Sequence, residues 1–412
     1  MRDHELYARI LGIERPWRVV DVDLDDELRK VTVRLSYTGA LTCPCCGASC
    51  SGYDARERCW RHLDTCQYQT HVVAAVPRVE CAEHGVRQID VPWAEAGSRF
   101  TALFECVVID WLKEASIAAV SRRLSLSWDE VDGIMGRAVR RGLDRREPQS
   151  PHRLGIDETS YQKRHEYVTV VSDMDRSIVL DVLDKRTQTS LESFYASLSV
   201  EQLASIDVVA MDMWPAYINA TLAWVPGAQS KIAFDRFHVA QHLGNAVDTV
   251  RKQEHRELRT QGDSLLTRSK YLWLANPQRM SAARWERFEP LRTSALRTAR
   301  AWAMKESAMM LWDYVARGWA ERGWRQWLAW ASRSRLGPMV KAARTIRTHL
   351  WGIINAVVLN ATNAVAESMN SKIQRIKGRA CGYRNRARFR HAILFHLGGL
   401  NLYPTAATHT KS

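Results

Sequence analysis

The stretch Val208-Val-Ala-Met-Asp212-Met-Trp-Pro-Ala-Tyr217 decides how this chain reads. An apolar run ends on an acid, and Pro215 then opens the next segment. A proline at the first turn of a helix costs nothing, because its missing N–H has no partner there. The sequence therefore reads strand, acid, helix. An upstream run, Leu154-Gly-Ile-Asp157, has the same ending. Period-2 parity puts Val208, Ala210 and Asp212 on one face and Gly155 with Asp157, so each acid leaves its strand on a defined side. Adjacent Glu158 points to the opposite face and is the poorer ligand. Working outward, the patterning predicts strands over 153–158, 166–173 and 177–183 and a helix near 189–199. A strand at 207–212, the Pro215 helix and a strand at 230–235 follow. Three strands, helix, strand, helix, strand predicts an α/β core, a mixed sheet with flanking helices.

A third acid lies far downstream, in Ala364-Val-Ala-Glu367-Ser-Met-Asn370-Ser-Lys-Ile-Gln374. Helical spacing puts Glu367, Asn370, Ser371 and Gln374 on one face, with Ala366, Met369, Ile373 and Ile376 turned to the core. Two strand-end aspartates and a late helical glutamate form the carboxylate cluster of ribonuclease-H-like polynucleotidyl transferases, enzymes that cut and join DNA. Three crowded carboxylates repel one another, and divalent cations remove that penalty by sharing them. The expectation is two Mg2+ ions per site, about 4 Å apart, with Mn2+ able to substitute. After Glu367 no acid occurs to the end of the chain, while Lys372, Arg375, Lys377, Arg379, Arg384, Arg386, Arg388 and Arg390 accumulate. A charge run is usually a solvated face, but this one follows the proposed metal ligand, where a DNA phosphate must lie.

Composition agrees. The 412 residues carry a net charge of +14 and a pI near 9.5, which favours polyanionic partners. No apolar stretch is long enough to predict a membrane helix, and the start MRDHELYARIL lacks the apolar core of a secretory signal. The expected location is cytoplasmic, at the bacterial nucleoid.

Six of the nine cysteines fall between Cys43 and Cys66, and an odd count without an export signal argues for metal ligands over disulfides. Cys43-Pro-Cys45-Cys46-Gly47 directs two thiolates at one ion, and Cys81-Ala-Glu-His84-Gly85 supplies a second pair with the same spacing. Cys43, Cys46, Cys81 and His84 are thus the expected ligands of a structural Zn2+. Cys45, Cys50, Cys59, Cys66 and His62 are competitors. Short strands surround this knuckle, with Val31–Leu35 in period 2 and His71–Val76 leading into Arg78–Cys81.

Residues 98–145 read as three helices: an amphipathic one through Phe104, Val107, Val108, Trp111 and Leu112, one capped by Ser116, and one opened by the capping box Ser127-Trp-Asp-Glu130. That is a helix-turn-helix, whose last helix enters the major groove. Asp129, Glu130 and Asp132 at its start would repel phosphates; Arg137, Arg140 and Arg141 further along are its candidate DNA contacts. A purely packing trihelical unit is the other reading.

The expected organisation is a zinc-binding domain over 1–95, a helix-turn-helix domain over 96–150, a first part of the catalytic core over 151–243, an all-α insertion over 244–350, and the second core part with its basic segment over 351–412. Nine of the sixteen tryptophans lie in or just beyond the insertion. Core packing is their simplest role, and Trp324, beside Arg322 and Arg325, is a candidate to face DNA.

Taken together, these motifs make the chain resemble, over nearly its whole length, bacterial insertion-sequence transposases of the ISL-three family, enzymes of the DDE class. The resemblance rests on Cys43-Pro-Cys-Cys-Gly, Gly155-Ile-Asp157-Glu, Asp212-Met-Trp-Pro-Ala-Tyr217, Phe234-Asp235-Arg-Phe-His238-Val and Asn363-Ala-Val-Ala-Glu367-Ser-Met-Asn370. It implies that Asp157, Asp212 and Glu367 are the catalytic triad and that Asp235 and His238 are accessory positions. The implied partners are the element's terminal inverted repeats and target DNA, with the protein acting as a homodimer. Two other readings stay open: a domesticated zinc-finger and helix-turn-helix regulator, and a structure-specific nuclease on the same fold.

Overall fold

The computed structural model describes residues 3–162, 166–361 and 364–405. The chain forms two compact units. One comprises residues up to Glu147 and the segment starting at Gly399; the other runs from Pro148 to Gly398.

The first unit opens with α1 (Asp3–Ile10) and a sheet of β1 (Trp17–Asp25), β2 (Lys30–Tyr37), β3 (Ser51–Arg61), β4 (Gln69–Cys81) and β5 (Gly85–Gln88). The strand order is β1-β2-β4-β3, with β5 also on β4. Alternation buries Val31, Val33 and Leu35 of β2 against Val72, Ala74 and Val76 of β4. Trp93 packs edge-on to both Trp17 and Trp60 in the same core. Strands β3 and β4 outrun the short strands expected, because β4 pairs with β3 along nearly its whole length although β3 is mostly exposed.

Three helices follow, α2 (Ala102–Glu114), α3 (Ile117–Leu124) and α4 (Trp128–Asp144). Their first turns are closed by Thr101, Ser116 and Ser127, the last with both halves of its capping box to Glu130. Glu130 therefore spends its carboxylate on the cap. Residues 399–405 return to this unit. Leu402 is buried and its carbonyl accepts from Arg141, while Arg145 Nη1 donates to the Tyr403 carbonyl at 2.6 Å. The second core part expected over 351–412 thus gives way at Gly398, because Leu402 finds its cover and its carbonyl a donor beside α4.

The second unit is built on β6 (Arg153–Gln162), β7 (Glu166–Asp173), β8 (Ile178–Leu183), β9 (Val208–Met211) and β10 (Ile232–Phe234). Helices α5 (Gln188–Ala196) and α6 (Val200–Ala204) precede β9, and α7 (Pro215–Trp224) and α8 (Ala228–Lys231) precede β10. The order is β10-β9-β6-β7-β8. Strands β6, β7 and β8 form an antiparallel meander; β9 lies parallel to β6 and β10 parallel to β9.

A helical stretch follows: α9 (Arg236–Thr260), α10 (Lys270–Leu274), α11 (Ala282–Arg292), α12 (Arg297–Met310), α13 (Arg317–Ser332), α14 (Gly337–Thr348) and α15 (Leu350–Val358). Its apolar side chains join those of the sheet in one cluster, from Leu154 and Val209 to Trp273 and Trp327. Trp324 is fully buried, so it cannot stack on DNA; Trp319, with Arg322 over its ring, and Trp330 are exposed. Helix α15 closes on β10 through Gly352, where a Cβ would sit 2.4 Å from the Phe234 ring, and through buried Asn355, which donates to the Gln229 and Ile232 carbonyls. The last helices are α16 (Ala364–Arg379) and α17 (Arg386–Leu397). No helix among the described residues is long and apolar enough to cross a membrane.

Candidate functional site

The register of β6 on β9 brings the two aspartates together. Gly155 pairs with Ala210 and Ile156 with Met211, so Asp157 and Asp212 follow side by side where β9 ends. The Asp157 carboxylate accepts from the Glu158 backbone N–H at 2.7 Å and from the Asn370 amide. Burial pushes its pKa up, against the pull of that N–H, His238 and Asn370. Asp212 has a basic side chain on each side: Arg186 Nη2 lies 4.0 Å from Oδ2 and His238 Nδ1 lies 3.8 Å from Oδ1. Burial likewise raises Glu158, which the Arg186 guanidinium beside it partly offsets.

The Asp235-Arg-Phe-His238 motif is a helix start. Asp235 caps α9, accepting from the Phe237 N–H at 2.8 Å, and one turn on His238 reaches Asp212 with one ring nitrogen and lies 3.7 Å from Asp235 with the other. Asp235 thus orients the histidine that faces Asp212. Sequence reasoning missed Arg186, which follows Lys185 in the β8–α5 loop with no motif around it. It joins Glu158 to Asp212 and lies 3.9 Å from the Trp214 ring centroid.

Helix α16 lies along β6. Gln374 Nε2 donates to Thr159 Oγ1 at 3.0 Å and Lys377 Nζ to the Ser160 carbonyl at 2.6 Å, while Met369 and Ile373 are buried. The backbone of Glu367 belongs to this helix, one turn before Asn370; its side chain lies outside the described residues. Of the basic segment, Lys377 is held on β6, Arg386 by Glu166 at 3.3 Å and Arg390 by Asp181 at 2.8 Å. These three spend their charge on the core, contrary to a purely DNA-gripping role. Arg375, Arg379 and Arg384 are exposed, and Lys372 and Arg388 are half-buried.

In the first unit, one oxygen-free ligand set gathers. The ligand atoms of Cys43, Cys46, Cys81 and His84 all lie within 4.8 Å of one another. Cys43 Sγ and Cys81 Sγ stand 3.8 Å and 3.6 Å from His84 Nδ1, and Cys46 Sγ lies 3.8 Å from Cys81 Sγ. A tetrahedron with bonds of about 2.3 Å has edges of roughly that length, so the donors fit Zn2+. Gly47 and Gly85, directly after the two ligand pairs, have φ of +72° and +65°, as a tight turn demands. The backbone N–H of Cys46 helps lower the Cys43 thiol to about 7, and that of His84 lowers Cys81. Of the competitors, Cys59 and His62 are elsewhere, Cys59 Sγ 3.4 Å from His71 Nδ1 and His62 buried against Thr101, whereas Cys50 bonds the Ala48 carbonyl and neighbours Cys81 without joining the gathered four.

The helix-turn-helix arginines divide. Arg141 is buried, its guanidinium taken by Glu95, Glu105 and the Leu402 carbonyl, and so cannot contact DNA as expected. Arg137 donates to Glu105 at 2.6 Å and lies over the Phe100 ring. Both serve Glu105, which is 1% exposed. Arg140 is exposed, as are Arg122 and Arg123 on α3, which the sequence reading passed over.

Three family profiles match. One for the ISL3 transposase domain, described as a transposase, covers residues 154–393, more than half of the chain. The chain belongs to the ISL3 family of transposases. The helix-turn-helix domain of transposase family ISL3 matches residues 89–139, and the zinc finger of the IS204/IS1001/IS1096/IS1165 transposases matches residues 40–84. The transposase for insertion sequence element IS1557 of Mycobacterium tuberculosis is 26% identical over 420 residues, covering 93% of each chain. The transposase for element IS1001 of Bordetella parapertussis is 26% identical over 373 residues, covering 89% of this chain and 91% of its own. The ISL3 transposase match takes in Asp157, Asp212, Arg186, His238 and all of α16.

Proposed function

We propose that this transposase binds the ends of an insertion sequence and carries out metal-dependent strand cleavage and strand transfer with Asp157, Asp212 and Glu367, on a ribonuclease-H-like core. The observation that carries the reading is the β6–β9 register, which sets Asp157 beside Asp212. The antiparallel meander extended by two parallel strands is the sheet order that fold requires, and α16 runs past Asp157 with position 367 one turn before Asn370.

The all-oxygen donors suit hard divalent cations, so these three acids would hold two Mg2+ ions, or Mn2+ in their place. When bound, the ions activate a water or a 3′-hydroxyl and stabilise the departing oxygen. The chain's own groups do the rest. Asn370 fixes the Asp157 carboxylate, Asp235 aims His238 at Asp212, and the exposed Arg375, Arg379 and Arg384 offer charges to phosphates beside the cut. The first unit, with its zinc knuckle and helix-turn-helix, reads the terminal repeats, and the protein works as a homodimer on DNA.

Asp157→Asn, Asp212→Asn and Glu367→Gln should each abolish Mg2+-dependent nicking of a terminal-repeat duplex while leaving binding largely intact. A variant with near-normal nicking removes its residue from the triad. A pre-cut end separates the remaining readings: a nuclease cuts but does not join it to target DNA, and a regulator does neither.

A further inference from the structure

Arg186 has no part in the chemistry described so far, yet the fold builds a seat for it. Its neighbour Lys185 is tied down by a buried relay: Thr169 Oγ1 donates to the Lys185 carbonyl at 3.0 Å and lies 2.7 Å from the Tyr217 hydroxyl. Thr169 and Tyr217 are 0% and 1% exposed. This relay also explains Tyr217, the last residue of the strand–acid–helix stretch. Beneath the guanidinium lies the Trp214 ring, 3.9 Å away, which supports a planar cation. Nε faces the Glu158 carboxylate and Nη2 stands 4.0 Å from Asp212 Oδ2.

Charge gives this seat its meaning. The strand register forces Asp157 and Asp212 together, and two neighbouring half-buried carboxylates repel unless a cation is near. A guanidinium is always protonated, so Arg186 supplies that cation permanently. A divalent ion bound at Asp212 would meet a positive charge already in place.

We propose that Arg186 is the resident countercharge of the Asp157–Asp212 pair, and that a divalent cation must displace it from Asp212. Glu158 is the parking partner, keeping the guanidinium beside the site once the ion enters. Arg186 is thus a positioning residue that holds the ion-free acids together and weakens ion binding. The proposal rests on Asp212 being an ion ligand.

The test is Mn2+ binding to the full-length, zinc-loaded chain without DNA, followed by electron paramagnetic resonance, with melting temperatures taken in parallel. Arg186→Gln should bind Mn2+ roughly three- to tenfold more tightly than the parent. It should melt lower without the ion and gain more from it. Simple structural damage would weaken ion binding, the opposite sign. Asp212→Asn should lose most of the binding. If Asp212→Asn loses it while Arg186→Gln binds no more tightly than the parent, the competition is refuted and the metal site stands. If Asp212→Asn binds like the parent, the metal-site reading itself falls. Should Arg186→Gln fail to fold, Arg186→Lys decides: its shorter, non-planar side chain loses the Trp214 stack and the reach to Asp212, and binding no tighter than the parent's overturns the proposal.

Discussion

The zinc knuckle and the aspartate pair solve the problem of gathering metal ligands in opposite ways. The knuckle collects three thiols and an imidazole, groups with an uncharged form accessible near neutral pH, which can therefore crowd together. Two tight turns place its four donor atoms within 4.8 Å of one another. The acid pair draws on strands far apart in the chain and carries charge that its own burial opposes, so Arg186 and His238 stand beside it. A cluster of protonatable soft ligands can be preorganised by local turns, whereas a cluster of carboxylates needs a cation from elsewhere in the fold. Glu105 in the first unit shows the permanent form of that second solution. Its buried carboxylate is shared by Arg137 and Arg141.

The strongest way to break this comparison is to remove the zinc. Cys43→Ser with Cys46→Ser should abolish the expected zinc, about one per chain by elemental analysis, and unfold the first unit, since zinc contributes on the order of 10 kcal/mol to such modules. Hydrogen exchange should then show β2 and β4 unprotected and β6 and β9 unchanged. Retained protection in β2 and β4 would mean that the sheet core, not the ion, holds that unit.

Arg141→Ala comes next. Leaving Glu105 buried with Arg137 as its remaining cation, beside the Ser98 hydroxyl, should cost roughly 3–5 kcal/mol, as breaking a buried ion pair does. Denaturant unfolding of the first unit is the measurement, and a loss under 1 kcal/mol would put Arg141 back among the candidate DNA contacts.

A smaller effect, of opposite sign, belongs to Asp157. Burial raises its pKa in the folded state, so its contribution to stability is full below the ordinary carboxylate range and is lost as pH rises through the folded value. In a chelator at neutral pH, Asp157→Asn should therefore melt higher than the parent, and its stability should fall less between pH 4 and 7. A lower melting point at pH 7 would show that the hydrogen bonds from Asn370 and Glu158 outweigh burial.

The mildest change is on the exposed face. Arg375→Ala with Arg384→Ala should weaken binding to all DNA sequences alike and reduce the salt slope by about 2, nearly one unit per phosphate contact. Equal loss from Arg386→Ala and Arg390→Ala would contradict the ion pairs that hold those residues on Glu166 and Asp181.

Much of this molecule is legible in one dimension. Strand positions in the second unit follow from short apolar runs, and the observed strands overlap the expected places. Strand β6, however, pairs with β7 as far as Gln162, so Asp157 lies in mid-strand opposite Val170 and not at a strand end, and only Asp212 follows directly on its strand. Two of the three capped helices follow from Ser116 and Ser127, whose side chains bond backbone groups within three residues, and the first from its apolar periodicity, its Thr101 cap showing only in the structure. Other assignments failed for a common reason. Trp324 sits between arginines in sequence yet packs edge-on to Trp312 and Trp327, because helical geometry turns it away from its chain neighbours. Arg186 gave no signal, since its partners, Glu158, Tyr167, Asp212 and Trp214, come from other segments.

The sequence by itself determined what is encoded at short range: the paired knuckle ligands, the acid that follows β9, the caps of α3 and α4, and the face of α16 that carries Asn370 and Gln374. Turns, caps and periodicity act over a few residues, so a linear reading reaches them. Only the tertiary structure decided which charges are spent and which are available. Arg141 is consumed by two glutamates and Arg390 by a strand, while Arg375 and Arg384 stay exposed and residues 399–405 fold back onto the first unit. An arginine's role is set by the carboxylates brought within reach of it, and those come from segments whose meeting no local pattern records.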